Sequence, residues 1–423
     1  MLNDSAFLRR ESQVRSYCRS FPVVLETASG SRMVAEGGKA YMDFFSGAGA
    51  LNYGHNHPLI VRALQDYLGR GGILHSLDMH TAAKRQFIER FEEIILRPRE
   101  LDYRIQFTGP TGTNAVEAAL KLARKVTGRP NIAAFTRAFH GVSLGSLAAT
   151  ASPGNRAAAG VPLSLTTRFP YCGYLGPRVD TIPYIEAMLE HGSGVDLPAA
   201  FIVETVQGEG GLNVATTEWL KKLAILAKAK GILLIVDDIQ AGCGRTGRFF
   251  SFERAQIEPD IVCLSKSISG CGLPMSLLLI KPEHDVWRPG EHNGTFRGNN
   301  LAFVAAAAAL KFWEDDALEV SVARQSSLMQ NRLRGLVRRL APESAVAVGM
   351  GFLQGIRWDN KTVAAEVSKE AFKRGLVLEC CGPHDEVLKL LPPLTISDAE
   401  LTEGLDIIAE AVTQVCGARE MAG

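Results

Sequence analysis

The sequence predicts an α/β protein with a mainly parallel sheet covered by helices on both faces, and a smaller α/β portion behind it. Three observations lead there. Short, wholly apolar runs recur through the middle of the chain, in AAFIVETV, GILLIVDD, DIVCLSKS and MSLLLI. Strands apolar on both faces suit the parallel interior of a covered sheet. A clear helix separates two of the runs, and residues that can do chemistry fall where successive runs end. That end is where parallel α/β sheets bind their ligands.

In chain order, the start MLNDSAFLRRESQVRSYCRSFP is polar and mixed in charge, without the apolar core of a signal peptide. MVAEGGKAYMDF predicts a hairpin turning at Gly37 and Gly38. From about residue 58 helices alternate with short strands. HPLIVRALQDYLGR has apolar residues at helical spacing, and NAVEAALKLARKV is amphipathic, with Val116, Leu120 and Ala123 or Leu122 on one face. TTEWLKKLAILAKAKG predicts a helix capped by Thr216 or Thr217 at its start and by Gly231 at its end. After Leu301 a long helical stretch runs to about Leu340; LVLECC and EVLKLLPPLTI then alternate with helical pieces. The expected division is an N-terminal segment over 1–57 packing with the small domain, a large domain over 58–315 and a small one over 316–423.

Composition excludes several classes. A formal net charge of +1 leaves no basic excess to neutralise nucleic-acid phosphates. The longest apolar run, Leu301 to Leu310, is far short of the roughly 18–20 residues of a membrane span. The 8 cysteines include no C-x-x-C pair, which predicts reduced thiols, no metal and a cytoplasmic protein.

The strand ends carry the chemistry. AAFIVETVQGEG ends on Glu204, Gln207 and Glu209, GILLIVDDIQAG on Asp237, Asp238 and Gln240, and DIVCLSKS on Lys266. Each alone has a bland reading: a solvated lysine, a turn, a helix cap. Three neighbouring strands ending this way argue for one shared cleft. An isolated lysine attacks an aldehyde only as its neutral amine, against an ordinary pKa of about 10.4. Pyridoxal phosphate matches the set: it offers an aldehyde to Lys266, a ring nitrogen to Asp237 and a phosphate to backbone amides. GPTGTNAVEAAL, Gly109 to Leu120, runs small and hydroxyl residues straight into a helix start, which favours an anion. AGCGRTGR also matches G-x-G-x-x-G at Gly242, Gly244 and Gly247, but polar residues separate it from its strand and no acid ends a second strand about 20 residues on.

The stretches VDDIQAGCGRTGRFFSFE and PDIVCLSKSISGCGLPM closely resemble the signature of class III aminotransferases, of the fold-type I pyridoxal-phosphate superfamily. YMDFFSGAGALNYGHNHP, GPTGTNAVEAALKLAR, AFHG, IVETVQGEGG and HNGTFRGNN extend the resemblance along nearly the whole chain. Within that family, RSYCRSFPVV, LSKSISGCGLPMSLLLIKPEHDVW and KLLPPLTI are similar to the diaminobutyrate–2-oxoglutarate branch of ectoine biosynthesis. The resemblance implies a large domain with a mainly parallel seven-stranded sheet, a smaller α/β C-terminal domain, and pyridoxal 5'-phosphate as cofactor. It implies Lys266 as the Schiff-base lysine, Asp237 on the pyridinium nitrogen and Gln240 on the phenolic oxygen. Gly112 and Thr113 would bind the phosphate, placed by Glu117, and Phe139 would stack on the ring. Thr295 would reach the phosphate of a neighbouring subunit, in a homodimer or dimer of dimers.

Two departures from the wider family stand out. Many relatives carry an arginine shortly before the PP of the C-terminal segment, bound to the second glutamate of QGEGG and to the donor's carboxylate. This chain has Lys389 there and keeps Glu209, and a lysine lacks the bidentate fork of arginine. Relatives that act on ornithine have an arginine where this chain has Val142. The implied reaction is transfer of the amino group of L-glutamate to L-aspartate 4-semialdehyde in two half-reactions, with Lys266 also moving the proton. The alternatives are another class III transaminase, for 4-aminobutyrate, ornithine or a polyamine, and a regulator that binds the cofactor without turnover. Tyr17 and Arg19 are positional candidates for the semialdehyde's carboxylate and amine.

Overall fold

In the computed structural model of the chain, which describes residues 6–340 and 343–420, the first strands are β1 (Leu25–Ser29), β2 (Arg32–Ala35) and β3 (Ala40–Asp43). β2 and β3 form the expected antiparallel hairpin. Its turn holds Gly37 and Gly38 at φ of 90° and 85°, a region glycine enters without a Cβ penalty.

The apolar runs of the middle build one large sheet. Along the chain come β4 (Arg104–Phe107), β5 (Ile132–Phe135), β6 (Thr166–Phe169) and β7 (Ala200–Val203). A two-residue ribbon follows, β8 (Val206–Gln207) with β9 (Asn213–Val214), and then β10 (Leu233–Asp237), β11 (Ile261–Leu264) and β12 (Leu277–Ile280). The sheet has seven strands in the order β4-β12-β11-β10-β7-β5-β6. β10 runs parallel to β7 and β11, and β5 parallel to β6 and β7. MSLLLI departs from the parallel expectation: β12 is antiparallel to both β11 and β4. The link from β11 contains only the 3₁₀ turn Lys266–Ser269, with no helix to carry the chain back along the sheet. The apolar character of β12 reflects burial on both faces, not strand direction.

Alternate residues of these strands go to opposite faces, as a pleat requires. Ile202, Ile235, Cys263 and Leu278 pack under the helix Gly112–Thr127, whose Val116, Leu120, Leu122 and Ala123 are all buried. Val203, Leu234, Val262 and Leu277 join the core that contains the helix Thr217–Lys230. Thr216 is that helix's N-cap, its hydroxyl accepting from the Trp219 amide, and Gly231 ends it at φ 59°.

The long helical stretch after Leu301 is two helices, Asn300–Ala309 and Ala317–Leu340, separated by a 3₁₀ turn. Two contacts explain the break. Trp313 Nε1 donates to the buried Tyr53 hydroxyl at 2.7 Å, and Asp315 Oδ1 accepts from the Ala317 amide at 3.0 Å to start the second helix.

Beyond it lie β13 (Ala345–Met350), β14 (Leu353–Trp358), β15 (Leu376–Val377), β16 (Glu379–Cys381) and β17 (Val387–Leu390). β13, β14, β17 and β16 form an antiparallel sheet in that order. β15 instead runs parallel to β3, pairing Leu376 with Met42, so the N-terminal hairpin and the C-terminal portion share a sheet. Ser31 Oγ donates to Glu400 across the same junction. No helix among the described residues is long and apolar enough to cross a membrane.

Candidate active site

The C-terminal ends of β7, β10 and β11 open on a cavity of about 180 Å³. Of the strand-end residues, Lys266, Asp237, Gln240, Glu209 and Glu204 line it, joined by Phe139, Gly112 and Thr113, while Gln207 turns away to the Thr136 carbonyl and Asn213.

β11 ends at Leu264, and the chain turns sharply to present Lys266 at φ 54°, a left-handed conformation that a side chain adopts only under constraint. The constraint is visible on both sides. Ser265 Oγ donates to the Met275 carbonyl at 2.9 Å, and Ser267 Oγ donates to the Gly49 carbonyl and accepts from the Asn52 amide at 3.2 Å. Burial lowers the pKa of Lys266, with the carboxylate of Glu209 opposing. A buried amine with a weakened hold on its proton is closer to the nucleophilic form.

Asp237 closes β10. Its Oδ2 stands 2.7 Å from His140 Nδ1, and its Oδ1 accepts from the Ile239 amide at 3.2 Å. Burial disfavours charge on His140, but the hydrogen bond and charge of Asp237 outweigh it and raise the pKa. Nothing in the stretch AFHG by itself gives His140 a role; only the fold brings it to a strand end 97 positions away. Next door, Asp238 points to the other face. Its Oδ2 accepts from the Ser251 amide at 3.0 Å, and burial pushes its pKa up to about 7. The pair DD is therefore divided between cavity and interior.

The phosphate cup expected in GPTGT is the start of the helix Gly112–Thr127. Thr111 is its extended N-cap and makes no side-chain cap bond, and among the described residues no backbone acceptor takes the Gly112 and Thr113 amides. The loop 139–143 lies against this helix start. At Gly141, φ 117°, a Cβ would stand 2.5 Å from Thr113 Oγ1. Glu117 holds the loop there: its Oε1 accepts from Ser143 Oγ at 2.8 Å, the Gly145 amide at 2.9 Å and the Ser146 amide at 3.1 Å. Ser143 Oγ is in turn 2.6 Å from Thr113 Oγ1.

At the cavity's edge Lys389 Nζ lies 2.6 Å from Glu209 Oε1 and 2.8 Å from Glu379 Oε1. Glu379, unassigned from sequence, sits opposite Lys389 across β16 and β17. Its identity alone carried no signal; the strand register does. Gln240 Nε2 donates to the Ala48 carbonyl at 3.0 Å and to Glu209 Oε1 at 3.1 Å, so its amide hydrogens face the protein in this arrangement. Thr295 is outside the cavity, on an exposed loop with its carbonyl 2.9 Å from His75 Nε2. Arg19 bonds within its own segment, to the Arg15 and Gln13 carbonyls and the Gln13 side chain. Tyr17 lies nearer the cluster: burial, then the charges of Glu379 and Glu209, push its hydroxyl up to about 12.

The residues present fit a phosphorylated pyridine aldehyde. Open helix amides and the Thr113 hydroxyl suit the phosphate, the buried Asp237–His140 pair suits a protonated ring nitrogen, and Phe139, Val206 and Ile239 give apolar walls. The fold and this cavity define the class, an α/β enzyme of fold type I that works with pyridoxal 5'-phosphate.

Comparison with known proteins narrows the class to a family. The model of the aminotransferase class-III family matches residues 14–412, and the chain belongs to that family. Proteins called diaminobutyrate–2-oxoglutarate transaminase are similar over nearly the whole chain. The one from Halalkalibacterium halodurans is 54% identical, covering 99% of this chain and 98% of its own. That from Bordetella parapertussis is 58% identical, covering 96% and 94%. Among solved structures, the ornithine aminotransferase of Toxoplasma gondii superimposes with a TM-score of 0.85 at 26% identity, covering 97% of this chain and 94% of its own.

Proposed function

We propose that the chain transfers the amino group of L-glutamate to L-aspartate 4-semialdehyde, giving 2-oxoglutarate and L-2,4-diaminobutyrate, as in the ectoine pathway. The observation that carries this reading is Lys389. A lysine shared by Glu209 and Glu379 stands at the cavity edge, where many class III relatives have arginine. The names of relatives at 54% and 58% identity support the same substrate pair.

Bound pyridoxal phosphate supplies the aldehyde that takes up the amino group and the ring that draws electrons from the reacting carbon. Everything else falls to the chain. Lys266 would anchor the cofactor through its Nζ and, as a free amine, would take the proton from the donor's α-carbon. Asp237, steadied by His140, keeps positive charge on the ring nitrogen. The amides of Gly112 and Thr113 hold the phosphate, and Phe139 covers the ring. Lys389 attracts the donor's carboxylate when Glu209 yields. Thr295, which lies outside its own chain's cavity, completes the phosphate site of a second subunit in a homodimer or dimer of dimers.

The test is the visible absorbance of the cofactor-loaded protein. Glutamate should shift the band and aspartate 4-semialdehyde should restore it, much faster than succinate semialdehyde or glutamate semialdehyde does. Restoration without preference would keep the aminotransferase and discard the substrate. Sodium borohydride should fix the cofactor to the wild-type chain but not to Lys266→Ala.

A further inference from the structure

Lys389 is fully buried, yet it serves its two carboxylates unequally. It donates a hydrogen bond to Glu209 Oε1 at 2.6 Å. Glu379 Oε1, buried and 2.8 Å away, faces the same ammonium in poorer hydrogen-bond geometry and has no other donor among the described residues. The register of β16 on β17 fixes this contact by placing Glu379 opposite Lys389. With all three ionised, the trio carries one negative charge in excess, near enough to act on Lys266 and Tyr17.

The inference rests on the function proposed above, which brings two kinds of substrate to one place. Glutamate and 2-oxoglutarate present two carboxylates beside the reacting atom. Aspartate semialdehyde and diaminobutyrate present one carboxylate and one spectator ammonium. An excess negative charge attracts the second kind and repels the first, and in a site of low dielectric neither effect is small. One proton on the trio would remove the repulsion.

We propose that Glu379 is the adjustable charge of the substrate site: it takes a proton from solvent when a dicarboxylate enters and returns it when the substrate with a spectator ammonium takes its place. The groups around it leave that role open. Lys389, on β17, holds its proton firmly: burial opposes the charge, but Glu209 and Glu379 outweigh it. Glu209 is kept well below the usual carboxylate range, the charges of Lys389 and Lys266 overcoming burial. Burial pushes Tyr17 and the neighbouring thiols of Cys380 and Cys381 up and out of range. The proton of Lys266 belongs to the reaction. Glu379 is itself raised, by burial first, against the charge of Lys389. Lys389 is the only donor near its Oε1 among the described residues, and that donor is shared with Glu209.

The experiment counts protons. 2-Oxoglutarate, which has no amine to react, is titrated into the cofactor-loaded enzyme by calorimetry in two buffers of different ionisation enthalpy. Wild type should take up about one proton per site, and its affinity should fall toward tenfold per pH unit on the alkaline side. Glu379→Gln should take up almost none, bind 2-oxoglutarate no more weakly, and raise the KM for diaminobutyrate about tenfold or more. Wild-type binding without proton uptake, or equal uptake in the variant, would overturn the proposal. The wild-type cofactor band read during the same titration should stay unchanged, a reading that stands even if the variant loses its cofactor. A shift matching the proton count would place the proton on the Lys266–cofactor imine and overturn the proposal. A cofactor band indifferent to glutamate would instead sink the underlying function, so the two failures are distinguishable.

Discussion

His140 Nδ1 and Asp237 Oδ2 stand 2.7 Å apart with both side chains shut away from solvent. The contact ties the loop after β5 to the end of β10, and a second bond runs alongside it, from the Phe139 amide to Glu204 Oε1 at 2.9 Å. The positions of Phe139 and Asp237 on the cavity wall therefore depend on one joint.

Replacing His140 by leucine leaves the inner oxygen of Asp237 buried and bare. A hydrogen bond to a charged group contributes about 1.5–3 kcal/mol, which corresponds to a roughly ten- to hundredfold loss. The single-turnover rate of the cofactor band with glutamate should fall by that factor, with weaker retention of the cofactor on dialysis. An unchanged rate would mean that Asp237 needs no help from His140.

Glu117 offers a second, separable test, because it touches the loop and not the cavity. Glu117→Gln keeps an acceptor for the Gly145 and Ser146 amides but loses the charge, and Glu117→Ala loses both. Cofactor affinity should drop in the order wild type, Gln, Ala, by about tenfold overall, on the basis of about 1–2 kcal/mol for such bonds. Fluorescence titration of the cofactor-free protein with pyridoxal phosphate would measure it.

The difference between Glu117 and Glu379 marks what was legible in the sequence. Lys266, Asp237 and the GPTGT loop were readable because each ends or begins a regular element, so period and position fixed where they point. The apolar runs marked the centre of the large sheet, while its seven strands were implied by the family resemblance alone, and the direction of β12 depends on a connection without a helix. Glu379 lies in LVLECC, where alternation was too short to give a face, and only pairing with β17 brings it onto Lys389. His140 was hidden for another reason: its partner is far along the chain, and no local pattern reports a contact across the sheet's end.

Asp238 predicts a dependence on pH. Burial raises its folded pKa from the usual 3.8 to about 7. Folding thus favours the protonated form, so its contribution is complete below the unfolded pKa and is lost as pH rises through the folded one. Asp238→Asn, which keeps an acceptor for the Ser251 amide, should gain stability relative to wild type as the buffer moves from about pH 5 to about pH 8. Thermal midpoints of both proteins across that range would show it; parallel curves would mean that the carboxyl stays ionised.

Arg245 joins three parts of the chain from a position with no exposure at all. It donates to Asn52 Oδ1, to the Pro392 carbonyl and, at 3.4 Å, to the Phe352 carbonyl. Asn52 continues the connection, since its amide donates to Ser267 Oγ, one residue beyond Lys266, and its carbonyl accepts from Leu394 at 2.7 Å. The strained turn that presents the lysine is thereby braced against the C-terminal portion. Arg245→Lys keeps the charge but cannot span these acceptors at once. It should cost about 2–4 kcal/mol of stability, from acceptors left bare in the interior. It should also slow glutamate turnover more than it weakens glutamate binding, because the turn loses its brace while Lys389 and Glu209 are untouched. A stability loss with unchanged kcat would confine Arg245 to holding the chain together; a fall in kcat at equal KM would show that the brace reaches Lys266.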